Sequence, residues 1–149
     1  MNAKLYPYLT FENAGEALQY YQEEFGATVL SERPFTEEQA EHLGLQVDDL
    51  STTTAYAEFS IAGQRLICAD AIMGQPQSSS QVAIMLDFGD DEGAAKAFFD
   101  RVSASNRQRV TIPFGPHQQG GKLGYIVDRF GVNWAISAGL INHDDEDEQ

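Results

Sequence analysis

The chain has 149 residues, of which 42% are hydrophobic and 11% are aromatic, so it suits one domain with a substantial core. Its formal net charge of −14 would repel the phosphate backbone of a nucleic acid, and no run of Lys or Arg offsets that charge. No apolar run approaches the roughly 18 residues of a membrane-spanning helix, and the first residues lack the charged-then-apolar order of a signal peptide. We therefore expect neither a nucleic-acid partner nor a membrane partner.

The first half of the chain predicts the element order β-α-β-β-β. Apolar residues alternate over 5–11, and the next stretch places apolar residues at helical spacing until Gly26. Ala62-Gly63 separates two β-type runs and is typical of a hairpin. The predicted elements are a strand over 5–11, a helix over 14–25 and strands over 28–31, 53–61 and 64–69.

Residues 32–51 form a polar excursion in this first half, with a helical turn expected at 37–42. Later in the chain, the turn-rich segment around His117 is a second long loop. Both segments are candidates to fold over a binding cleft.

The second half repeats the pattern after a connection over 71–80 that is rich in turn and flexible residues. It predicts strands over 81–88 and 109–114, a helix over 91–105, and a hairpin of 123–128 with 132–137 around Phe130-Gly131. The apolar residues of the predicted helix that would point inward are Ala94, Ala95, Phe98, Phe99 and Val102.

The two halves also correspond residue by residue. The helix that contains Gly15, Ala17, Tyr20 and Tyr21 has counterparts at one constant offset, and the hairpin glycine Gly63 has its counterpart in Gly131. A duplicated βαβββ unit is the simplest explanation. The counterparts in the second helix are Gly93, Ala95, Phe98 and Phe99.

Cys68 is the one cysteine of the chain, so it cannot form an intrachain disulfide. Its neighbours Leu66, Ile67 and Ala69 predict a buried strand. We expect an inert core thiol in a reducing compartment, which favours a cytoplasmic location.

Three segments carry a resemblance to a known family: YPYLTFENAGEALQYYQEEFGA, AEFSIAGQRLICAD and GYIVDRFGVNWAIS. In order and spacing they resemble the vicinal oxygen chelate superfamily, which includes glyoxalases, bleomycin resistance proteins and dioxygenases, and specifically its PhnB-type branch. The resemblance implies an α+β fold in which duplicated βαβββ modules form a curved mixed sheet around a cleft, and it implies a homodimer. It covers the chain from Leu5 to Ser137.

With this resemblance, residues 1–141 are expected to form a single glyoxalase-like domain. Module one covers about 4–70, the linker about 71–80 and module two about 81–138. Residues 142–149 carry the acidic run HDDEDE without an apolar anchor, so an acidic disordered tail is expected there.

The resemblance also implies where a metal would bind, since superfamily metals are held by His and Glu on the first and last strands of each half. Those positions fall at Tyr6, about Ile67, Ala83 and Ala135. None of these side chains is a carboxylate or an imidazole, and a divalent ion needs several converging donors. We therefore expect no metal.

The other ligand-forming residues lead to the same expectation. The three histidines, His42, His117 and His143, fall in predicted loops or the tail. Members of the PhnB-type branch have been labelled demethylubiquinone methyltransferases, but the chain has no glycine-rich turn after a strand with an acidic partner downstream. We therefore expect no cofactor.

Strand alternation predicts which side chains line the cleft, because neighbouring residues point to opposite faces. Apolar residues such as Leu5, Phe59, Val82 and Trp134 fall on the helix side, and Phe59 and Trp134 are assigned to the core. Small polar side chains and Ala135 fill much of the other face, including Thr10, Thr54 and Ser60. The ligand-binding candidates on that face are Tyr6, Tyr8, Tyr56, Glu58, Gln81, Met85, Asn133 and Ser137.

Two functions fit this lining, and a third interpretation makes the face a protein contact. The first is a metal-free module that binds a small polar or aromatic molecule in the cleft. The alternative is a lyase, isomerase or dioxygenase-type enzyme of the superfamily in which Glu58 is the general base, and Glu58 is the best catalytic candidate. The residues by themselves do not select a substrate.

Overall fold

The computed structural model describes residues 1–72 and 74–141, so the predicted tail at 142–149 lies outside the described residues. The chain divides into two compact units, Met1–Pro76 and Gln77–Gln149, called unit one and unit two below. The division falls inside the predicted linker over 71–80. In the part of the chain that the structure describes, no helix is long and apolar enough to cross a membrane.

Unit one is a four-stranded mixed sheet with the strand order β1-β4-β3-β2, in which β1 and β4 run parallel and the other pairs are antiparallel. The predicted β-α-β-β-β order is confirmed, and the expected turn at 37–42 is a helix. The elements are β1 (Tyr8–Phe11), α1 (Ala14–Phe25), β2 (Thr28–Arg33), α2 (Glu37–Leu43), a 3₁₀ turn (Leu50–Thr52), β3 (Tyr56–Ile61) and β4 (Gln64–Asp70).

Unit two repeats this architecture with the strand order β5-β8-β7-β6, again with one parallel pair, β5 and β8. The predicted duplication of a βαβββ unit in an α+β fold is confirmed. The elements are β5 (Ala83–Asp87), α3 (Glu92–Ser103), β6 (Arg109–Pro116), β7 (Lys122–Val127) and β8 (Asn133–Ala138).

The first strand of each unit is shorter than predicted. Leu5 and Val82, assigned to the helix side by alternation, are 93% and 69% exposed and precede β1 and β5. The expectation that they pack on the helix side was wrong, because alternation decides burial only where the strand is paired within the sheet. From Leu9 and Ile84 onward the side chains follow the predicted faces, and Phe11 and Leu86 are buried.

Helix α1 begins at a polar cap and ends at a glycine. The side chain of Asn13 accepts a hydrogen bond from the Glu16 N–H at 3.0 Å, and Gly26 ends the helix with φ of 68°. The apolar residues at helical spacing, Ala17, Leu18, Tyr21 and Phe25, are buried, and Tyr20 is buried as well. The Tyr21 ring stacks on Phe59 with centroids 5.7 Å apart, which fixes the helix on one face of the sheet.

The predicted hairpin of β3 and β4 turns at Ala62 and Gly63, whose φ angles are 50° and 79°. Two successive positive φ angles are those of a type I′ turn, whose twist matches that of the two strands it joins. Ile61 pairs with Gln64 directly across it. This turn sets the register that places Glu58 opposite Ile67.

The two units share one detail of register that supports their internal likeness. Ile67 of β4 pairs with Tyr8 of β1, and at the corresponding place in unit two Ala135 of β8 pairs with Met85 of β5. Paired residues point to the same face of a sheet. Tyr8 and Met85 are therefore equivalent positions in the two units.

Candidate functional site

Two adjoining cavities lie at one end of the sheet face of unit one that is not covered by α1. They share Phe35 and Ala55 as lining residues and have volumes of about 740 and 260 Å³. We call the pair the unit-one groove. The larger cavity is lined by Arg33, Pro34, Phe35, Thr36, Glu37, Gln39, Leu50, Ala55 and Tyr56, and the smaller by Tyr8, Thr10, Phe35, Ala55, Ala69, Asp70, Ala71, Ile72, Gly74, Gln75 and Pro76.

Sheet register brings the strand residues of the groove together. Thr10 pairs with Ala69 across β1 and β4, and Tyr56 pairs with Arg33 across β3 and β2. These residues share the face opposite Phe59 because alternation turns them away from α1. The predicted positions of Tyr8, Thr10 and Tyr56 on this face agree with the structure.

The polar excursion supplies the rest of the larger cavity. Phe35 is buried and lines both cavities, and Leu50 also lines the larger one. The predictions did not include Phe35 as a site residue. A sequence signal was present, because Phe35 is the one aromatic residue within the polar stretch 32–51.

Thr54 was predicted to lie on the open face, but the structure buries it. It precedes β3 and is buried, its backbone N–H donates to Asp70 Oδ2 at 2.8 Å, and its hydroxyl donates to Glu32 Oε1 at 3.2 Å. Alternation does not apply here because Thr54 lies before the start of β3. Its burial is tolerated because its two donors are satisfied.

Asp70 lines the smaller cavity, but both oxygens of its carboxylate accept backbone hydrogen bonds. Oδ1 accepts from Ala14 N at 2.7 Å, at the start of α1, and Oδ2 accepts from Thr54 N. Negative charge at the first residue of a helix is favourable. Asp70 therefore holds the first residue of α1 and the residues just before β3 next to the groove.

Glu58, the candidate general base, has both carboxylate oxygens engaged. Oε1 forms an ion pair with Arg65 Nη1 at 3.4 Å, and Oε2 accepts a hydrogen bond from the Ser31 hydroxyl at 3.3 Å. Glu58 lies on the predicted face but lines neither cavity of the groove. The sequence did not indicate a partner for Glu58. The structure shows that this partner is Arg65, because the β3-β4 hairpin brings the two residues together.

The remaining candidates do not line the groove. Tyr6 is 38% exposed and precedes β1, and it lines neither cavity. In unit two, Gln81 precedes β5 and is exposed, Met85 is exposed on β5, and the Asn133 amide donates to Ser79 O at 2.8 Å. The structure thus divides the predicted set between the two units.

Ser137 was predicted to line the open face, and the structure corrects this. Its pairing with Asp87 confirms the predicted face, but Ser137 is fully buried and its hydroxyl donates to Asp87 Oδ1 at 2.9 Å. Ala135 is buried too. Both lie on β8, an inner strand that has neighbours on both sides in the sheet, so alternation fixes their direction but not their exposure.

The positions carried over for a metal do not fit one. Ile67, Ala83 and Ala135 have no side-chain donor, and Tyr6 offers one phenol. Within residues 1–72 and 74–141, no group of three His, Cys, Asp or Glu side chains is placed to hold a metal ion. His117 lies in a tight turn, where its Nδ1 accepts from Gln119 N at 3.2 Å.

Cys68 is a core thiol, as predicted. It is fully buried on β4, and burial raises the pKa of the thiol from its ordinary value of 9.0 to about 12, with smaller contributions from the charges of Glu32 and Asp70. The protonated thiol is a weak nucleophile. It therefore offers no catalytic group.

Comparison with known proteins places this chain in a family. The family model described as 3-demethylubiquinone-9 3-methyltransferase matches residues 3–137. Protein YjdN of Escherichia coli K12 is 32% identical over 144 residues, which cover 89% of this chain and 93% of YjdN.

Two solved structures show the same fold. Protein PA1353 from Pseudomonas aeruginosa is 24% identical with a TM-score of 0.68, over 93% of this chain and 98% of that chain. A PhnB protein from Bacillus cereus is 20% identical with a TM-score of 0.65, over 92% of this chain and 100% of that chain. The chain therefore belongs to the 3-demethylubiquinone-9 3-methyltransferase family of PhnB-like proteins, within the vicinal oxygen chelate superfamily.

Proposed function

We propose that this protein is a metal-free binding protein that holds a small polar or aromatic molecule in the unit-one groove. The observation that carries the proposal is the groove itself, whose larger cavity of about 740 Å³ has the size of a small-molecule site. Binding sites of this size are mostly apolar, with a few polar groups that orient the ligand. The groove has that composition.

The lining favours an aromatic or partly polar ligand. Phe35 and Tyr56 present ring surface. Thr36 and Gln39 line the same cavity, and although their side-chain oxygens accept backbone hydrogen bonds at the start of α2, the Thr36 O–H and the Gln39 amide N–H groups are donors for a ligand. In the smaller cavity Tyr8 and Thr10 supply a phenol and a hydroxyl. We therefore assign the ligand-binding role first to Tyr8 and Tyr56 among the residues predicted from the sequence.

The metal-free part of the proposal rests on donor chemistry. The positions that would hold a superfamily metal carry Ile67, Ala83 and Ala135, and a hydrocarbon side chain cannot coordinate a cation. No cofactor is included in the proposal either, since the sequence lacks the glycine-rich turn that a nucleotide-like cofactor requires. For the same reason we do not extend the family description to a methyltransferase activity.

The enzyme alternative gains no support from the geometry of Glu58. A general base must reach the proton that it removes, and Glu58 lines neither cavity. Its oxygens are held by Arg65 and Ser31.

The proposal includes a homodimer in the cytoplasm. The superfamily resemblance supports the dimer, and the single buried Cys68 with no disulfide supports a reducing compartment. The charge of −14 disfavours nucleic acid as a partner.

Two experiments test the proposed function. Metal analysis of purified protein after chelation should find no Zn, Ni, Mn or Fe near one ion per chain, and one tightly retained ion per chain would refute the metal-free state. Ligand-observed NMR with a library of small aromatic compounds should then find binders whose affinity falls in Tyr56→Ala.

Tyr6→Ala is the matched control for the binding experiment. Tyr6 and Tyr56 are the same residue type and are 38% and 36% exposed, but of the two only Tyr56 lines the groove. Affinity should be unchanged in Tyr6→Ala. A library that yields no binder, or binders that respond to Tyr6→Ala alone, would contradict the groove as the site.

A further inference from the structure

The larger cavity of the unit-one groove contains one cationic side chain, Arg33. Arg33 is the last residue of β2 and pairs with Tyr56 of β3, so the two side chains lie next to each other on the same face of the sheet. Both line the cavity together with Phe35. Arg33 therefore contributes a positive charge to a cavity that two aromatic residues also line.

Among the described residues, the Arg33 guanidinium forms no ion pair or side-chain hydrogen bond. Three other cations are paired: Arg65 with Glu58 at 3.4 Å, Lys96 with Asp100 at 2.6 Å and Lys122 with Glu92 at 2.5 Å. Lys4, Arg101 and Arg109 have no ion pair among the described residues either, but Arg33 differs from them because it lines the groove. The chain has 23 Asp and Glu residues for 9 Lys and Arg residues, so carboxylate partners are abundant. An arginine without one is available to an external anion.

The neighbouring carboxylates do not occupy this position. Glu32, the preceding residue, is directed toward Thr54, whose hydroxyl donates to Glu32 Oε1 at 3.2 Å. Glu37 lines the same cavity but makes no ion pair with Arg33. The cavity thus has one cationic position, at Arg33, and one anionic position, at Glu37.

Given the proposed function, on which this step rests, we infer that the groove selects molecules that join an aromatic or apolar body to an anionic oxygen group. The planar guanidinium of Arg33 pairs with a carboxylate, sulfonate or phosphonate through parallel N–H donors. The rings of Phe35 and Tyr56 and the side chain of Leu50 contact the body. Glu37 opposes a second anionic group at the α2 side.

A pair of fluorescent dyes tests the inference. 8-Anilinonaphthalene-1-sulfonate and N-phenyl-1-naphthylamine have nearly the same aromatic body, and only the first carries a sulfonate. Both become fluorescent in an apolar site, so each affinity can be measured by titration. The native protein should bind the sulfonate dye more tightly than the uncharged dye. Added salt should lower the affinity for the sulfonate dye and leave the affinity for the uncharged dye unchanged.

Charge variants locate the effect. Arg33→Gln should lower the affinity for the sulfonate dye about fivefold or more, as expected for loss of a charge-assisted contact near solvent. The affinity for N-phenyl-1-naphthylamine should stay within about twofold of that of the native protein. Glu37→Gln should change sulfonate affinity in the opposite direction. Arg65→Gln is the control, because it removes one positive charge from the same sheet at a residue that lines neither cavity.

Each outcome separates this inference from the proposed function. If the native protein binds the uncharged dye as tightly as the sulfonate, or if Arg33→Gln and Arg65→Gln weaken the sulfonate equally, the anionic selectivity is overturned and the groove remains a binding site. If neither dye binds, both proposals fall. Thermal melts of Arg33→Gln that match the native protein would confirm that the change in affinity is local.

Discussion

The indole Nε1 of Trp134 donates a hydrogen bond of 2.9 Å to Oδ2 of Asp128, and both residues are buried in unit two. The other oxygen, Oδ1, accepts the backbone N–H groups of Phe130 and Val132 at 2.9 and 3.0 Å. One carboxylate therefore joins the β7-β8 turn to the core of the unit. Trp134 was assigned to the core from strand alternation, and the structure confirms it.

Asp128→Ala should destabilise the protein by about 2 to 4 kcal/mol, because three N–H donors would lose their acceptor in a buried site. Urea denaturation measures this change. Trp134→Phe should lower the free energy of unfolding less through these hydrogen bonds, since it removes one donor and leaves Asp128 bonded to the backbone of Phe130 and Val132. A loss below about 0.5 kcal/mol in Asp128→Ala would show that this carboxylate does not hold the hairpin.

The two faces of β3 should respond differently to truncation. Phe59 is fully buried against Tyr21, whereas Tyr56 is 36% exposed in the groove. Phe59→Ala should cost about 3 to 5 kcal/mol of unfolding free energy, and Tyr56→Ala should cost clearly less while changing ligand binding. Denaturant melts that rank Tyr56→Ala as the more destabilising change would reverse the assignment of the faces.

Cys68 should give the protein a component of alkaline instability. The pKa of this thiol is raised to about 12 in the folded state from an ordinary value of 9.0, so its stabilising contribution is complete below about pH 9 and is lost as the pH rises toward 12. Stability should fall by up to about 1.4 kcal/mol per pH unit from this group in that window.

Comparison with Cys68→Ala isolates the effect, because all other groups titrate in both proteins. The difference in unfolding free energy between the two should shrink as pH rises from 9 to 11. In native protein at pH 8, Ellman's reagent should react with Cys68 only as fast as the chain unfolds. Immediate stoichiometric labelling without denaturant would contradict the burial of this thiol.

Gly124 of β7 should tolerate no side chain. A Cβ there would lie 2.6 Å from Phe99 Cε2 and 2.9 Å from the Cα of Phe114. Gly124→Ala should therefore destabilise the protein by about 1 to 3 kcal/mol through overpacking, and the melting temperature reports it. Gly115→Ala is the control, since no atom lies within 4 Å of its added Cβ. Equal melting temperatures for the two variants would refute the close contact of β7 with the helix.

Light scattering at tens of micromolar should find twice the mass of one chain, as expected for a homodimer. The proposal rests on the family resemblance, so a direct measurement of mass decides it. A single-chain mass that persists over a hundredfold range of concentration would reject the dimer.

Much of the fold was predictable because its signals are local. Helical spacing with Gly26 at its end located α1, and Ala62-Gly63 located the first hairpin, because only a few conformations suit such a turn. Alternation also assigned Phe59 and Trp134 to the core. The same rule was wrong for Leu5 and Val82, since it describes the direction of a side chain and not whether the strand continues in the sheet.

The sequence by itself determined the duplicated βαβββ architecture and the absence of His and Glu at the carried-over metal positions, since repetition and residue identity can be read without coordinates. Only the tertiary structure decided the groove, the Arg65 partner of Glu58 and the burial of Ser137. Arg33 and Phe35 meet Tyr56 because pairing of β2 with β3 brings together residues about twenty positions apart. That pairing depends on the packing of the whole sheet, which no local pattern specifies.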